Sequence, residues 1–288
     1  MTGLSPIKIT ECPRDAMQGL HDFVPTEIKA AYINLLLQVG FDTIDFGSFV
    51  SAKAIPQMQD TAEVLARLDM GNSKSKLLAI IANLRGAEDA VKFDEITYLG
   101  FPFSISETFQ QRNTNSSIAA SFDTVKRIHE LCGRHNKQLR IYLSMAFGNP
   151  YGDDWNAEIV ESWAEKMTDE GIGILMLSDT TGVSTPENIG YLYRHLSIHF
   201  PETEFGVHLH STPQTSIRKI KAAYVSGCTN FDSALKGYGG CPMAADDLTG
   251  NIATETLISY LQKEQRVELN LDMNKWAEAM EFSEQIFR

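Results

Sequence analysis

The stretch that decides the fold is Ile172-Gly-Ile-Leu-Met-Leu177, a helical segment opening at Thr185-Pro186, and Glu204-Phe-Gly-Val-His-Leu-His210. It reads as strand, helix, strand. Pro186 sits at the first helical position, where its missing N–H is not needed. The second strand carries His208 and His210, and side chains two apart on a strand point to the same face. Two imidazoles about 7 Å apart along a strand can chelate one divalent cation, given an oxygen ligand from elsewhere.

The same alternation runs outward in both directions. Strands are predicted over residues 7–11, 43–46, 77–81, 95–99, 138–144 and 230–234. Between them, helices are predicted from residue 26 to the stop at Gly40, over 60–68 with Asp60 as N-cap, and over 86–93, 118–135, 156–170, 214–225 and 250–263. Residues 12–22, 47–59 and the polar segment before residue 118 read as loops, and 272–287 as an extra C-terminal helix. Eight βα units in 288 residues, with no linker or composition break, predict a closed (β/α)8 TIM barrel as one domain over residues 1–288. An open doubly wound sheet is the rival, but the first turn lacks its glycine fingerprint.

Composition narrows the partners. A net charge of −12 without a Lys/Arg run argues against nucleic acid. No run of 18 apolar residues suggests a membrane span, and no secretory signal is visible. Cys12, Cys132, Cys228 and Cys241 match no zinc or disulfide spacing, which suits a reducing, cytoplasmic setting.

Barrel active sites lie at the C-terminal ends of the strands. Arg14, Asp15 and Gln18 follow the first strand, and Asp45, Ser48 and Lys53 lie at or after the second. Arg140 is in the fifth, Asp179 and Thr180 follow the sixth, and Cys241 and Asn251 follow the eighth. Each has an ordinary reading too. A lone strand histidine is more often a satisfied core group, Asp15 could be a turn acid, and Lys53 a solvated cation. Arg140, charged in a buried strand, needs an anion: a structural partner, Asp179 or a substrate carboxylate. Asp246-Asp247 is most simply a helix-capping acid pair. Gly239-Gly240-Cys241-Pro242 is either a flexible turn or a loop that presents a thiol. Cys132 and Cys228 read as core.

Together, Glu11-Cys-Pro-Arg14-Asp15-Ala-Met-Gln18, Ser48-Phe-Val-Ser-Ala-Lys53-Ala-Ile-Pro-Gln-Met58, Asp179-Thr-Thr-Gly182, His208-Leu-His210 and Gly239-Gly-Cys-Pro242 resemble the hydroxymethylglutaryl-CoA lyases, in the same order over nearly the whole chain. The Arg-Asp and His-x-His motifs mark the wider superfamily of metal-dependent barrel lyases and aldol/Claisen enzymes. The Ser-Phe-Val-Ser and Gly-Gly-Cys-Pro stretches are more specific. The resemblance implies Mg²⁺ or Mn²⁺ held by Asp15, His208, His210 and Asn251. It also implies Arg14 at the developing enolate, Cys241 acting from its loop, an acyl-CoA substrate and a homodimer. The implied reaction cleaves 3-hydroxy-3-methylglutaryl-CoA to acetyl-CoA and acetoacetate.

Three departures stand out. Asp45 replaces an expected glutamate, Ser211 follows His210 where an acid is usual, and residues 244–249 are longer and more acidic. Two other readings are open to the same residues: a Claisen-type synthase joining acetyl-CoA to a 2-oxo acid, and a barrel that binds metal or acyl-CoA without turnover.

Overall fold

A computed structural model describes residues 6–240 and 249–287. Eight parallel strands close in sequence order: β1 Lys8–Glu11, β2 Thr43–Ser48, β3 Lys76–Ile80, β4 Ile96–Ser104, β5 Gln138–Ser144, β6 Ile174–Asp179, β7 Glu204–Leu209 and β8 Asn230–Ser233. The seam pairs the first strand with the last, Lys8 with Asn230 through Glu11 with Ser233. The expected (β/α)8 barrel is the observed fold.

Helices α1 Pro13–Met17, α2 Thr26–Val39, α3 Thr61–Leu65, α4 Leu84–Ala90, α5 Glu107–Thr114, α6 Ile118–Arg134, α7 Ala157–Asp169, α8 Pro186–His199, α9 Ser216–Val225, α10 Thr254–Ser259 and α11 Met273–Phe282 join and surround the strands. Gly40 ends α2 in the left-handed region, φ 91°, which glycine adopts without steric cost. The extra helix α11 packs on α2, with Trp276 edge-on to Phe41 and Phe282 stacked on Tyr32.

Strand alternation sorts the core into two layers. On β5, Leu139, Ile141 and Leu143 join the large apolar layer between barrel and helices. Its alternate residue Tyr142 joins Leu78, Ile80, Tyr98, Ile174 and Met176 in a second cluster. The polar groups that matter lie above and among this second set. Among the described residues no helix is long and apolar enough to cross a membrane.

Several expectations needed correction. β4 continues to Ser104 rather than stopping at residue 99, because Gly100 packs between strands; a Cβ there would meet Ile80 Cδ1 at 2.5 Å. α1 and α5 occupy segments read as loops; α5 is capped by Ser106, whose hydroxyl accepts from the Phe109 N–H. Asp60 does not cap α3. It accepts instead from Lys29 Nζ and Thr26 Oγ1, each at 2.7 Å. His210 lies just past β7, in an isolated antiparallel bridge with Asn251.

Candidate active site

β1 ends at Glu11, and Cys12 turns the chain directly into α1. That turn sets Arg14 and Asp15 over the barrel mouth, both buried. Arg14 is held from two sides. Its Nε and Nη2 donate to Asp45, the shortest bond being 2.6 Å, and its Nη1 donates to Asp15 Oδ1 and Gln18 Oε1, each at 2.9 Å. Burial works against its charge, but the two carboxylates outweigh burial and keep the guanidinium protonated. Burial pushes the Asp45 carboxyl up to about 6 despite Arg14, which leaves the pair ionised at neutral pH.

β7 brings His208 and His210 to the same mouth, their Nε2 atoms 3.2 Å apart. His208 Nδ1 lies 3.1 Å from Asp232 Oδ2 on β8. A carboxylate only accepts, so Nδ1 carries the hydrogen, and in the neutral ring Nε2 presents its lone pair. Burial opposes charge on His208, but the bond to Asp232 and its negative charge win, and the pKa rises. His210 goes the other way, to about 4, through burial and its neighbour His208.

Asn251 is clamped beside this pair. The Ser211 N–H donates to Gly250 O at 2.8 Å and the Ile252 N–H to Leu209 O at 3.2 Å. Asn251 Nδ2 donates to Asp15 Oδ2 at 2.6 Å and to Tyr238 O at 2.9 Å. Burial would raise the Asp15 pKa, but Arg14, the two histidines and this amide lower it, so the carboxylate stays ionised. Ligand atoms of Asp15, His208 and His210 all lie within 4.8 Å of one another. An ionised carboxylate, two converging imidazole nitrogens and a nearby amide suit a divalent cation with positions left open. Asp232 behind His208 is the outer partner that a ligating histidine usually has.

The mouth opens into a cavity of about 170 Å³. Arg14, Asp15, Gln18, Thr180, His208 and His210 line it, with Val50, Ile55, Ile80, Pro102, Phe109 and Tyr142 among the apolar walls. Tyr142 meets His208 edge-on, ring centres 5.7 Å apart.

Four residues expected at a substrate, Asp45, Ser48, Arg140 and Lys53, do not line that cavity. Asp45 stands behind Arg14 as its counter-ion. Ser48 braces the turn after β2, its Oγ accepting from the Val50 N–H at 3.2 Å. Arg140 is buried among the strands, where it donates to Thr10 Oγ1 at 3.0 Å, lies 3.7 Å from Asp232 and covers the Tyr98 ring. Lys53 is exposed on the loop after β2. Cys241 and Asp246-Asp247 lie outside the described residues. Asp179 partners not Arg140 but Lys219 Nζ, at 2.7 Å.

Asp232 and Lys219 are the groups the sequence reading missed. A signal existed for the first: an acid inside a buried strand needs a partner as much as Arg140 does. Lys219 lies on the buried side of α9 with Ser216, Ile220 and Ala223, where a lysine is out of place unless paired.

Residues 7–282 match the family model described as HMGL-like. The chain belongs to the HMGL-like family. Among its similar relatives is a hydroxymethylglutaryl-CoA lyase of Bacillus subtilis, 32% identical over 273 residues, which cover 95% of this chain and 90% of the relative. Another is the 3-hydroxy-3-isohexenylglutaryl-CoA/hydroxy-methylglutaryl-CoA lyase of Pseudomonas aeruginosa, 31% identical over 93% of this chain and 88% of that one. A similar solved structure is an HMG-CoA lyase from Acenitobacter baumannii in complex with coenzyme A and 3-methylmalate. It has a TM-score of 0.90 and 31% identity, and the match covers 99% of this chain and 93% of that one. This HMGL-like chain is therefore an enzyme of the lyase class, and neither the synthase nor the non-catalytic barrel gains support from these relatives.

Proposed function

We propose that this protein is a divalent-metal-dependent carbon–carbon lyase that cleaves 3-hydroxy-3-methylglutaryl-CoA, or a close analogue, to acetyl-CoA and acetoacetate. The observation that carries this reading is one cavity lined by Asp15, His208 and His210 together with the charged Arg14. Asp15, His208, His210 and Asn251 would hold Mg²⁺ or Mn²⁺. When bound, that cation lowers the pKa of a substrate hydroxyl and neutralises charge beside it.

The chain's own groups account for the rest of the chemistry. Asp15 takes the tertiary hydroxyl proton on a carboxylate oxygen; His208, the other candidate base, has no free lone pair once Nε2 ligates and Nδ1–H donates to Asp232. The oxygen's electron pair becomes the new ketone, the adjacent C–C bond breaks, and its electrons pass to the departing thioester enolate. Arg14 is fixed by Asp45 and Asp15 before substrate arrives, so it stabilises that negative charge without reorganising. Gln18 and Thr180, which line the same cavity, would orient substrate oxygens. The enolate carbon then needs a proton, and the Cys241 thiol is the proposed donor. Gly239, two residues before it, supports this reading: at φ 96°, a Cβ there would sit 2.8 Å from Asp15 O, so the chain is against the site at that residue. Lys53, exposed on the loop after β2, is suited to the anionic end of a CoA ester. The same reading gives a homodimer working in the cytoplasm.

The test is incubation with a panel of 3-hydroxyacyl-CoA thioesters, with and without Mg²⁺ or Mn²⁺, and identification of products by mass. Cleavage of the methylglutaryl ester that needs metal, and is lost in folded His208→Ala and Cys241→Ala, is the expected result. Full activity in either variant removes that residue from the mechanism. Absence of cleavage across the panel removes the proposal.

A further inference from the structure

A second set of ligating side chains lies on the outer helices, away from the barrel mouth. His195 and His199 are one turn apart on α8, a spacing that puts both on the same face. Glu161, on the neighbouring α7, points at them, with its Oε2 2.9 Å from His195 Nε2. His199 Nδ1 lies 2.8 Å from the His195 carbonyl oxygen. That oxygen can only accept, so Nδ1 holds the hydrogen and His199 Nε2 is left with its lone pair free to ligate. One ligand atom from each residue falls within 4.8 Å of the others.

The rings are restrained as well as close. The two imidazole centres are 4.2 Å apart, and Tyr191 stacks on His195 with planes 12° from parallel. His195 and Glu161 are 23% and 29% exposed, so one side of the cluster is packed and the other open to water. An ordinary His–carboxylate ion pair would need only two of these residues. The third, with its tautomer set by a backbone carbonyl, converges on the same point.

We propose that Glu161, His195 and His199 form a surface site for a borderline transition-metal ion of the Zn²⁺ class, separate from the site at the barrel mouth. Two imidazoles and one carboxylate with only water to add favour Zn²⁺, Ni²⁺ or Cu²⁺ over Mg²⁺, whereas the mouth site adds Asn251 and substrate oxygens to the same three donors. Water completes the coordination on the open side. The net charge of −12 favours any cation. Occupancy ties α7 to α8, the two helices that bracket β6, and so restrains the strand whose end presents Thr180 to the cavity.

Zn²⁺ titration of the tag-free protein by calorimetry tests this, comparing wild type, His195→Ala/His199→Ala and His208→Ala/His210→Ala. Wild type should bind Zn²⁺ in two classes. The outer double variant should lose one class, keep its Mg²⁺-supported activity, and lose the part of the Zn²⁺-induced rise in melting temperature that the mouth variant retains. Glu161→Gln should weaken the outer class at least tenfold. Co²⁺ bound to the mouth variant should show a visible absorption band that is absent once His195 and His199 are also replaced. Equal Zn²⁺ stoichiometry in wild type and the outer double variant overturns the proposal.

Discussion

Replacing Lys219 by methionine removes one positive charge from a buried site while keeping the length of the side chain. Lys219 is 2% exposed, and its ammonium donates to Asp179 Oδ2 at 2.7 Å, to His210 O at 2.8 Å and to Gly182 O at 2.9 Å. Among the described residues, Asp179 keeps the Ser184 N–H and hydroxyl when the lysine is gone. A buried carboxylate stripped of its counter-charge costs about 3–5 kcal/mol, a large share of the roughly 5–15 kcal/mol that holds a domain together. In urea unfolding the extrapolated free energy should fall by that amount, seen as a lower midpoint with the slope unchanged. Asp179→Asn in the same chain removes the orphaned charge and should restore about half of the loss. A loss below about 1 kcal/mol, or no recovery in the double variant, would refute the reading of Lys219 as the counter-charge.

Three further outcomes follow from the geometry. Asp232→Asn should weaken Mn²⁺ binding roughly 10–100-fold, since the partner that sets the His208 tautomer is lost; unchanged affinity in a Mn²⁺ titration would count against that role. Burial lifts the Glu11 carboxyl from 4.5 to about 8, against the bonds it accepts from Thr254 Oγ1 and the Leu235 N–H. The unfolded chain loses that proton first, so it binds fewer protons than the folded one, and stability falls by up to about 1.4 kcal/mol per pH unit between roughly 4.5 and 8, then levels off. Glu11→Gln should flatten that slope in pH-dependent melts, and an unaltered slope would mean Glu11 is not its source. Gly206→Ala should cost about 1–3 kcal/mol by overpacking, because a Cβ there meets Met176 Sδ at 2.5 Å and Asn230 O at 2.9 Å; a wild-type melting temperature would show that the barrel interior yields there.

Periodicity made the barrel legible, and β5 falls on residues 138–144 as read from sequence alone. Short helices such as α1 and α5 escaped because one or two turns show too little of a 3.6-residue period. Within the site, the His-x-His and Arg-Asp pairs were legible because each is local. Asp232 and Lys219 were not, because their partners lie far off in sequence or on another element: His208 is 24 residues from Asp232, and Asp179 is 40 residues from Lys219. Their roles also answer the departure at Ser211. No acid follows His210, yet Asp232 orients His208 from β8, and Lys219 grips the His210 carbonyl from α9.

The seam between β1 and β8 has a consequence for how the protein is made. Asn251 reaches Asp15 across 236 residues, and Thr254 reaches Glu11 across 243. A ribosome therefore emits Asp15 long before Asn251, and contacts so distant along the chain form late. A nascent chain that ends before residue 250 has both histidines and Asp15 but no Asn251 clamp to hold them together. If Asp15, His208, His210 and Asn251 hold a cation as proposed, its capture would report that the ring has closed, and incomplete chains would forgo the stabilisation that binding adds to the finished one.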